Sequence, residues 1–180
     1  MQVLIFLLET FFFFLIAAAL LRAWMNLMRV QMSGQPGRFA IAVTDWLVKP
    51  LRRVLPRSLA QSRLDWGSVL AAALLAQAYA GLALVLHAVA GAMPVNMIPV
   101  LLMLAVHMLL RVLLQGLMFL LLVYAVLSWV QPQSPVLATL DRLCAPLLRP
   151  LRRWLPLVGG VDLSVLVMLI LLQVGLILIG

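Results

Sequence analysis

The chain has 180 residues, of which 66% are hydrophobic and 10% are charged, and its formal net charge is +8. Soluble domains use about 45–50% apolar residues, and a chain this short exposes much of its surface when folded, so the composition excludes a freestanding water-soluble globule. The single cysteine, Cys144, excludes an internal disulfide, and no Cys/His cluster at metal-ligand spacing suggests a metal or other cofactor.

Four apolar runs are long enough to cross about 30 Å of hydrocarbon, which takes about 20 helical residues. In chain order these runs are residues 3–25, 66–90, 112–130 and 161–179. The first lacks the basic start and the cleavage site of a signal peptide, so we expect it to remain in the mature protein. The predicted fold class is an all-α membrane protein with four transmembrane helices.

Residues 98–110 are also apolar and precede the third run. A helix running unbroken from residue 98 to residue 130 would be about 50 Å long, more than ordinary tilt accommodates. Arg111 therefore marks the outer end of the third span. Residues 98–110 are predicted to form an interfacial or partly re-entrant segment that leads into it.

The distribution of positive charge predicts the orientation. Twelve of the 13 Lys and Arg residues lie within residues 22–63 and 142–153, between spans one and two and between spans three and four. Because loops rich in Lys and Arg stay on the cytoplasmic side, both stretches are predicted to be cytoplasmic. The N-terminus, the C-terminus and the connection at residues 91–99 are then periplasmic.

The two basic loops resemble each other. Residues 49–56 read KPLRRVLP and residues 149–156 read RPLRRWLP, with six identities in eight positions, and each copy continues to an aspartate that opens the next span. The chain is therefore predicted to be two copies of one unit, residues 1–92 and 93–180. Each unit is a hairpin of two spans, and both hairpins start on the outer side, which makes a parallel repeat.

Each loop is predicted to hold an amphipathic helix in the inner interface. Apolar residues recur at helical spacing in both loops, with the basic residues mainly on the other side. Pro50, Pro146 and Pro150 each remove a backbone donor, so two short helical pieces are predicted in place of one long helix.

Residues 146–164 carry the pattern Pro-Leu-Leu-Arg-Pro-Leu-Arg-Arg-x-Leu-Pro-x-x-Gly-Gly-x-Asp-x-Ser. This pattern resembles the signature of the YggT family of bacterial inner-membrane proteins, with its chloroplast and Gram-positive YlmG relatives. The resemblance implies a four-span protein of the bacterial inner membrane with a link to osmotic or ionic stress tolerance. For the relatives of the family, the resemblance implies a role in membrane-complex biogenesis or in division. It implies no agreed biochemical activity.

The arginines of the two loops are the strongest candidate site. Arg52, Arg53, Arg149, Arg152 and Arg153 are predicted to bind anionic phospholipid or an acidic membrane-protein partner, each near-surface cation contributing about 1 kcal/mol. The alternative is that these arginines only set the topology. Topology needs basic residues but not the same prolines and leucines twice, which favours the specific role.

Asp65 and Asp162 each stand just before a span. A carboxylate there accepts hydrogen bonds from the free amides of the first helical turn and opposes the helix dipole, so both are predicted to be N-caps. A charge pair with the nearby loop arginines would also lock the loop to the span.

Four polar residues in or beside the apolar runs are further candidate sites. Glu9 and Arg111 lie at comparable depths in the membrane and are predicted to form an ion pair that holds the two repeats together. The alternative is a cation site at Glu9. Gln77 and Gln173 lie near mid-membrane and are predicted to hydrogen-bond across helices, with a pore lining as the alternative. Small residues give the second span a face for close helix approach: Ala72, Ala76 and Ala80.

The chain lacks the motifs of common enzymes: no Ser/His/Asp order, HExxH, GxGxxG or P-loop occurs. The basic loops also lack the interleaved aromatics of nucleic-acid binding. The predicted function is a non-enzymatic membrane scaffold or assembly factor whose loops engage anionic lipid or a partner complex. The alternative is an ion or small-solute channel or transporter subunit, formed as a homo-oligomer.

Overall fold

The computed structural model describes residues 2–56, 64–89, 96–153 and 162–180. Within these ranges the chain forms helices and no strands, in agreement with the predicted all-α class. In chain order the helices are α1 (Gln2–Leu27), α2 (Gly37–Val54), α3 (Trp66–Val89), α4 (Met97–Val130), α5 (Pro135–Arg152) and α6 (Leu163–Ile179).

Three of the described helices are long and apolar enough to cross a membrane: α1, α3 and α4, with 26, 24 and 34 residues. Helix α6 is equally apolar in character but has 17 residues, which corresponds to about 26 Å. The predicted ends of two spans, Ala90 and Val161, lie outside the described residues.

The prediction for residues 98–110 is wrong, because α4 is one continuous helix of about 51 Å. Pro99 occupies its first turn, where the backbone N–H has no intrahelical partner and its loss costs little. No further proline occurs before residue 132. Leu101, Leu104 and Ala105 also pack into a core with α1 and α3, and this burial favours the helical conformation of the segment.

The prediction that prolines break the loop helices is also wrong. Pro50 lies inside α2, and Pro146 and Pro150 lie inside α5, yet each helix continues for 18 residues. The carbonyls that lose their usual partners belong to residues four positions earlier, which are Trp46, Arg142 and Pro146. All three residues are exposed, and each helix buries its other face against its neighbours, which offsets the lost hydrogen bonds.

The described helices bury two hydrophobic clusters. The first lies between α1, α3 and the first half of α4, and it includes the fully buried Ala72, Ala76 and Ala80. The second lies between the end of α1, the second half of α4, α5 and α6. Helix α4 contributes residues to both clusters from different faces. The Trp24 indole N–H donates to the Leu143 carbonyl at 3.1 Å, and this hydrogen bond joins α1 to α5.

Helices α2 and α5 use the same register to pack on their neighbours. Helix α2 packs on α1 and α3, and α5 packs on α4 and α6. Buried positions of the two helices are 100 residues apart in three pairs: Ala40 and Leu140, Thr44 and Cys144, Val48 and Leu148. Each loop helix is thus held against the two helices that flank it in the chain.

Candidate functional site

The first of two charge clusters lies where α2 meets α1 and α3. It consists of Arg22, Asp45, Arg52 and Asp65, and the Asp65 side chain is only 4% exposed. The Arg52 guanidinium donates from Nε to Asp65 Oδ1 at 3.2 Å and from Nη2 to Oδ2, a two-pronged arrangement. This ion pair fixes the end of α2 to the start of α3.

Arg22 is buried in the same cluster, with 5% of its side chain exposed. It donates from Nη1 to Asp45 Oδ1 at 2.8 Å and to Thr44 Oγ1 at 3.0 Å, and its Nε lies 3.9 Å from Asp65 Oδ2. Two carboxylates on different elements therefore compensate one buried guanidinium, whose charge would otherwise be costly. Arg22, Thr44 and Asp45 were missed as site residues, although Arg22 is the first cation after a long apolar run.

Asp65 also organises the first turn of α3. Its carboxylate accepts from the Ser68 backbone N–H at 3.4 Å and from the Ser68 hydroxyl at 2.6 Å. A Cβ added to Gly67 would lie 2.6 Å from Arg52 Cγ, so the glycine leaves room for the arginine stem across this turn. Asp65 therefore accepts hydrogen bonds from the first turn of α3 and also binds a loop arginine.

The second charge cluster consists of Tyr124, Asp141, Arg152 and Asp162. Arg152 donates from Nε to Asp162 Oδ2 at 2.8 Å and from Nη2 to the Tyr124 hydroxyl at 2.9 Å, and that hydroxyl donates to Asp141 Oδ1 at 3.2 Å. Asp162 accepts from the Ser164 backbone N–H at 3.0 Å and caps α6. Tyr124 and Asp141 were not predicted, because their roles depend on how α4 and α5 pack.

The two clusters share an ion pair between an arginine and an aspartate, and they differ in exposure and in their other members. Arg52 and Arg152, the first arginines of the two PLRR copies, both bind the aspartate that precedes the next helix. The second cluster is more open, since its Arg152 and Asp162 side chains are 37% and 24% exposed. A buried arginine is present only in the first cluster, and Tyr124 takes part in the second.

The five arginines predicted to bind lipid or a partner fall into two groups. Arg52 and Arg152 are engaged in these ion pairs. Arg53, Arg149 and Arg153 are exposed and form no ion pair with any residue in the described ranges. The lipid-binding prediction therefore applies best to the second group.

Both capping aspartates are stabilised in the ionised form. Burial alone would raise the pKa of Asp65, but hydrogen bonds from Arg52 and Ser68 outweigh it and hold the pKa below the ordinary value of 3.8. At Asp162 burial also acts to raise the pKa, and hydrogen bonds from Ser164 and Arg152 lower it further than burial raises it.

These pKa values predict acid sensitivity. A carboxyl group whose pKa is lower in the folded state stabilises the fold above its unfolded pKa, and the contribution is complete above about pH 5. We expect the melting temperature in detergent to fall as the pH decreases from 3.8 through the lower folded values. The double variant Asp65→Asn/Asp162→Asn should show a weaker fall over the same interval, and an unchanged pH profile would contradict the assignment.

The polar residues of the apolar helices are placed as follows. Arg111 Nη1 lies 2.5 Å from Glu9 Oε1, which joins α4 to α1. Gln77 is half-buried and Gln173 is exposed, and neither side chain is hydrogen-bonded within the part of the chain that the structure describes, so their bonding across helices stays a prediction. No group of three or more metal-ligating residues occurs in the described ranges.

Comparison with known proteins gives one family. The sequence model of the CCB3/YggT family matches residues 1–86 and 103–180. The chain is 35% identical over 175 residues to the uncharacterized protein YggT of Escherichia coli strain K12, covering 97% of this chain and 87% of that protein. It is 34% identical over 169 residues to the uncharacterized protein in the proC 3'region of Vibrio alginolyticus, covering 93% and 88%.

A further relative is the uncharacterized protein PA0392 of Pseudomonas aeruginosa, which is 30% identical over 164 residues, covering 89% of this chain and 79% of the relative. No solved structure matches the chain. The family match covers most of the chain, including both loops that contain the PLRR copies. The chain therefore belongs to the CCB3/YggT family.

Proposed function

We propose that the protein is a non-enzymatic scaffold or assembly factor of the bacterial cytoplasmic membrane, and that its two loop helices hold anionic phospholipid at the cytoplasmic face. Family membership and three helices of membrane-spanning length support a membrane location. A link to osmotic or ionic stress tolerance follows from the family resemblance and is part of the proposal.

The proposed arrangement has four spans in two parallel hairpins, with α6 as the fourth span. Its 17 residues lie at the short end of the range for transmembrane helices. The packing of α2 on α1 and α3 parallels that of α5 on α4 and α6, which supports the repeat. The concentration of cations near α2 and α5 supports a cytoplasmic position for both helices, with the termini in the periplasm.

The exposed surface of α2 is the observation that best supports the proposal. Phe39, Trp46 and Arg53 follow each other at intervals of seven residues, or about two helical turns, and therefore share one stripe. All three are exposed, on the side opposite the buried Ala40 and Val48. A helix with exposed aromatics next to an exposed cation is typical of the membrane interface, where rings enter the acyl boundary and the cation reaches the head groups.

Helix α5 offers cations at the equivalent positions. Arg149 and Arg153 are 100 residues beyond Lys49 and Arg53 and are exposed. Lys49 is paired with Asp45 at 2.7 Å, but residue 145 is alanine, so Arg149 lacks the corresponding acid. Three cations without acidic partners in the described ranges, Arg53, Arg149 and Arg153, thus lie near the ends of the two loop helices.

The test compares two variants with the same loss of charge. The first is Arg53→Gln/Arg149→Gln/Arg153→Gln, and the matched control replaces three other exposed arginines, Arg29, Arg38 and Arg142. We expect the first variant to lose at least tenfold in affinity for phosphatidylglycerol, because three near-surface cations contribute about 3 kcal/mol together and screening by salt reduces this sum. The control should retain most of the affinity.

Native mass spectrometry of the protein released from nanodiscs would count bound phosphatidylglycerol against phosphatidylcholine. The first variant should also fail to support growth in high-osmolarity medium in a strain that lacks the wild-type gene. Equal lipid loss in both variants would show that only total charge matters, and unchanged lipid in both would show that these arginines bind none. Either result would contradict the proposed site.

A further inference from the structure

An ion pair lies on the surface of the helices that are long enough to cross the membrane. Glu9 is seven residues, about 10 Å, from the start of α1, and Arg111 is 14 residues, about 21 Å, from the start of α4. Their side chains are 32% and 44% exposed in the single chain. Ionisable groups at such positions normally face the interior of a bundle or a partner, because hydrocarbon cannot solvate them.

The single chain satisfies little of the hydrogen-bonding capacity of this pair. Arg111 uses one of its five N–H donors, in the contact from Nη1 to Glu9 Oε1. Its other donors have no acceptor within residues 2–56, 64–89, 96–153 and 162–180. Lipid acyl chains offer no acceptor either, so the remaining donors need a polar partner.

Arg111 is the middle of a polar stripe on α4. His107 and Gln115 lie four residues before and after it, on the same side of the helix. Both are half-buried, and neither side chain is hydrogen-bonded among the residues that the structure describes. The stripe is about 12 Å long, much less than about 30 Å of hydrocarbon, which favours a contact surface over a conduction path.

We propose that the polar stripe of His107, Arg111 and Gln115, together with Glu9, is the contact between two copies of this chain. In a two-fold symmetric dimer the same patch of both copies meets itself. Because the patch holds one acid and one base, a contact of Arg111 in one copy with Glu9 in the other is repeated by the symmetry, and opposite charge favours this pairing. The planar guanidinium can bind one carboxylate within the chain and another across the interface.

A second copy is the occupant that the charges favour. Any other membrane protein would need an acid and a base of its own at matching positions, whereas a second copy has both by identity. The stripe is on α4 and Glu9 is on α1, apart from the arginines of α2 and α5 that carry the proposed lipid binding. The two proposals therefore fail or succeed separately.

The test exchanges the charges. The double variant Glu9→Arg/Arg111→Glu keeps an ion pair within each chain and complementary charges across its own dimer. Mixed with wild-type protein, however, it would place acid against acid and base against base. Two copies of the chain carry different tags, and their co-purification from phospholipid nanodiscs measures association. We expect wild type to co-purify with wild type as well as variant co-purifies with variant. The mixed combination should give at least tenfold less.

A complementary pair of single variants tests the same contact if the double variant misfolds. Chains with Glu9→Arg and chains with Arg111→Glu should each fail to self-associate, but should co-purify with each other when expressed together. Monomeric wild-type protein in native mass spectrometry from nanodiscs would overturn the proposal. Equal co-purification of the mixed and unmixed combinations would overturn it as well.

Discussion

Replacing Asp65 by asparagine is expected to lower the free energy of unfolding by about 3 kcal/mol, and replacing Asp162 by asparagine by about 1 kcal/mol. Asparagine can still cap a helix, so the difference reports mainly the lost charge. Asp65 is 4% exposed and faces both Arg52 and the buried Arg22, which would lose one of its two compensating carboxylates. Arg152, by contrast, is 37% exposed and keeps Asp141 nearby.

Equilibrium unfolding in mixed micelles, followed by circular dichroism, would measure both losses. A rescue variant, Arg22→Met combined with Asp65→Asn, tests the mechanism, because removing the buried cation should recover part of the loss. Equal losses for the two single variants would contradict the difference in burial between the clusters. A rescue variant no more stable than Asp65→Asn would show that Arg22 does not depend on Asp65.

The adjacent arginines of the first PLRR copy are expected to have separate roles. Arg52→Gln should destabilise the protein by about 2 kcal/mol, since it leaves the buried Asp65 with only the more distant Arg22. Arg53→Gln should change stability by less than about 0.5 kcal/mol, because Arg53 is exposed and makes no described ion pair. The two variants have the same net charge and differ by one position.

Lipid binding should show the opposite order. Arg53→Gln is expected to reduce phosphatidylglycerol binding, and Arg52→Gln, measured below its melting temperature, should retain it. The pair of measurements consists of thermal unfolding and lipid counting on the same nanodisc samples. If both variants lost stability and lipid together, the division of the PLRR arginines into structural and lipid-binding members would be wrong.

The apolar helices could be predicted closely because their length follows from the thickness of a bilayer. Residues 66–90 were predicted as a span, and the described helix is Trp66–Val89. The positions of Asp65 and Asp162 before apolar runs likewise indicated their capping, since the amides of a first helical turn need an acceptor wherever a helix starts. These features depend on residues close together in the chain.

Features that depend on packing could not be predicted in this way. Arg22 is buried because α2 brings Asp45 and Thr44 to the end of α1, and no local pattern shows that approach. The prolines of the loop helices indicated breaks, but the sequence does not show that the affected carbonyls are on exposed residues. The same holds for residues 98–110, whose helix is stabilised by contacts with α1 and α3.

The distribution of core residues makes the two halves of the chain interdependent. The first hydrophobic cluster takes Ala105, Met108 and Val112 from beyond residue 92, and the second takes Met25 and Val30 from before it. The predicted boundary at residue 92 is therefore not a boundary between separate hydrophobic cores. A chain cut at residue 92 would separate each core from some of its own buried side chains, so neither half would bury a complete core alone.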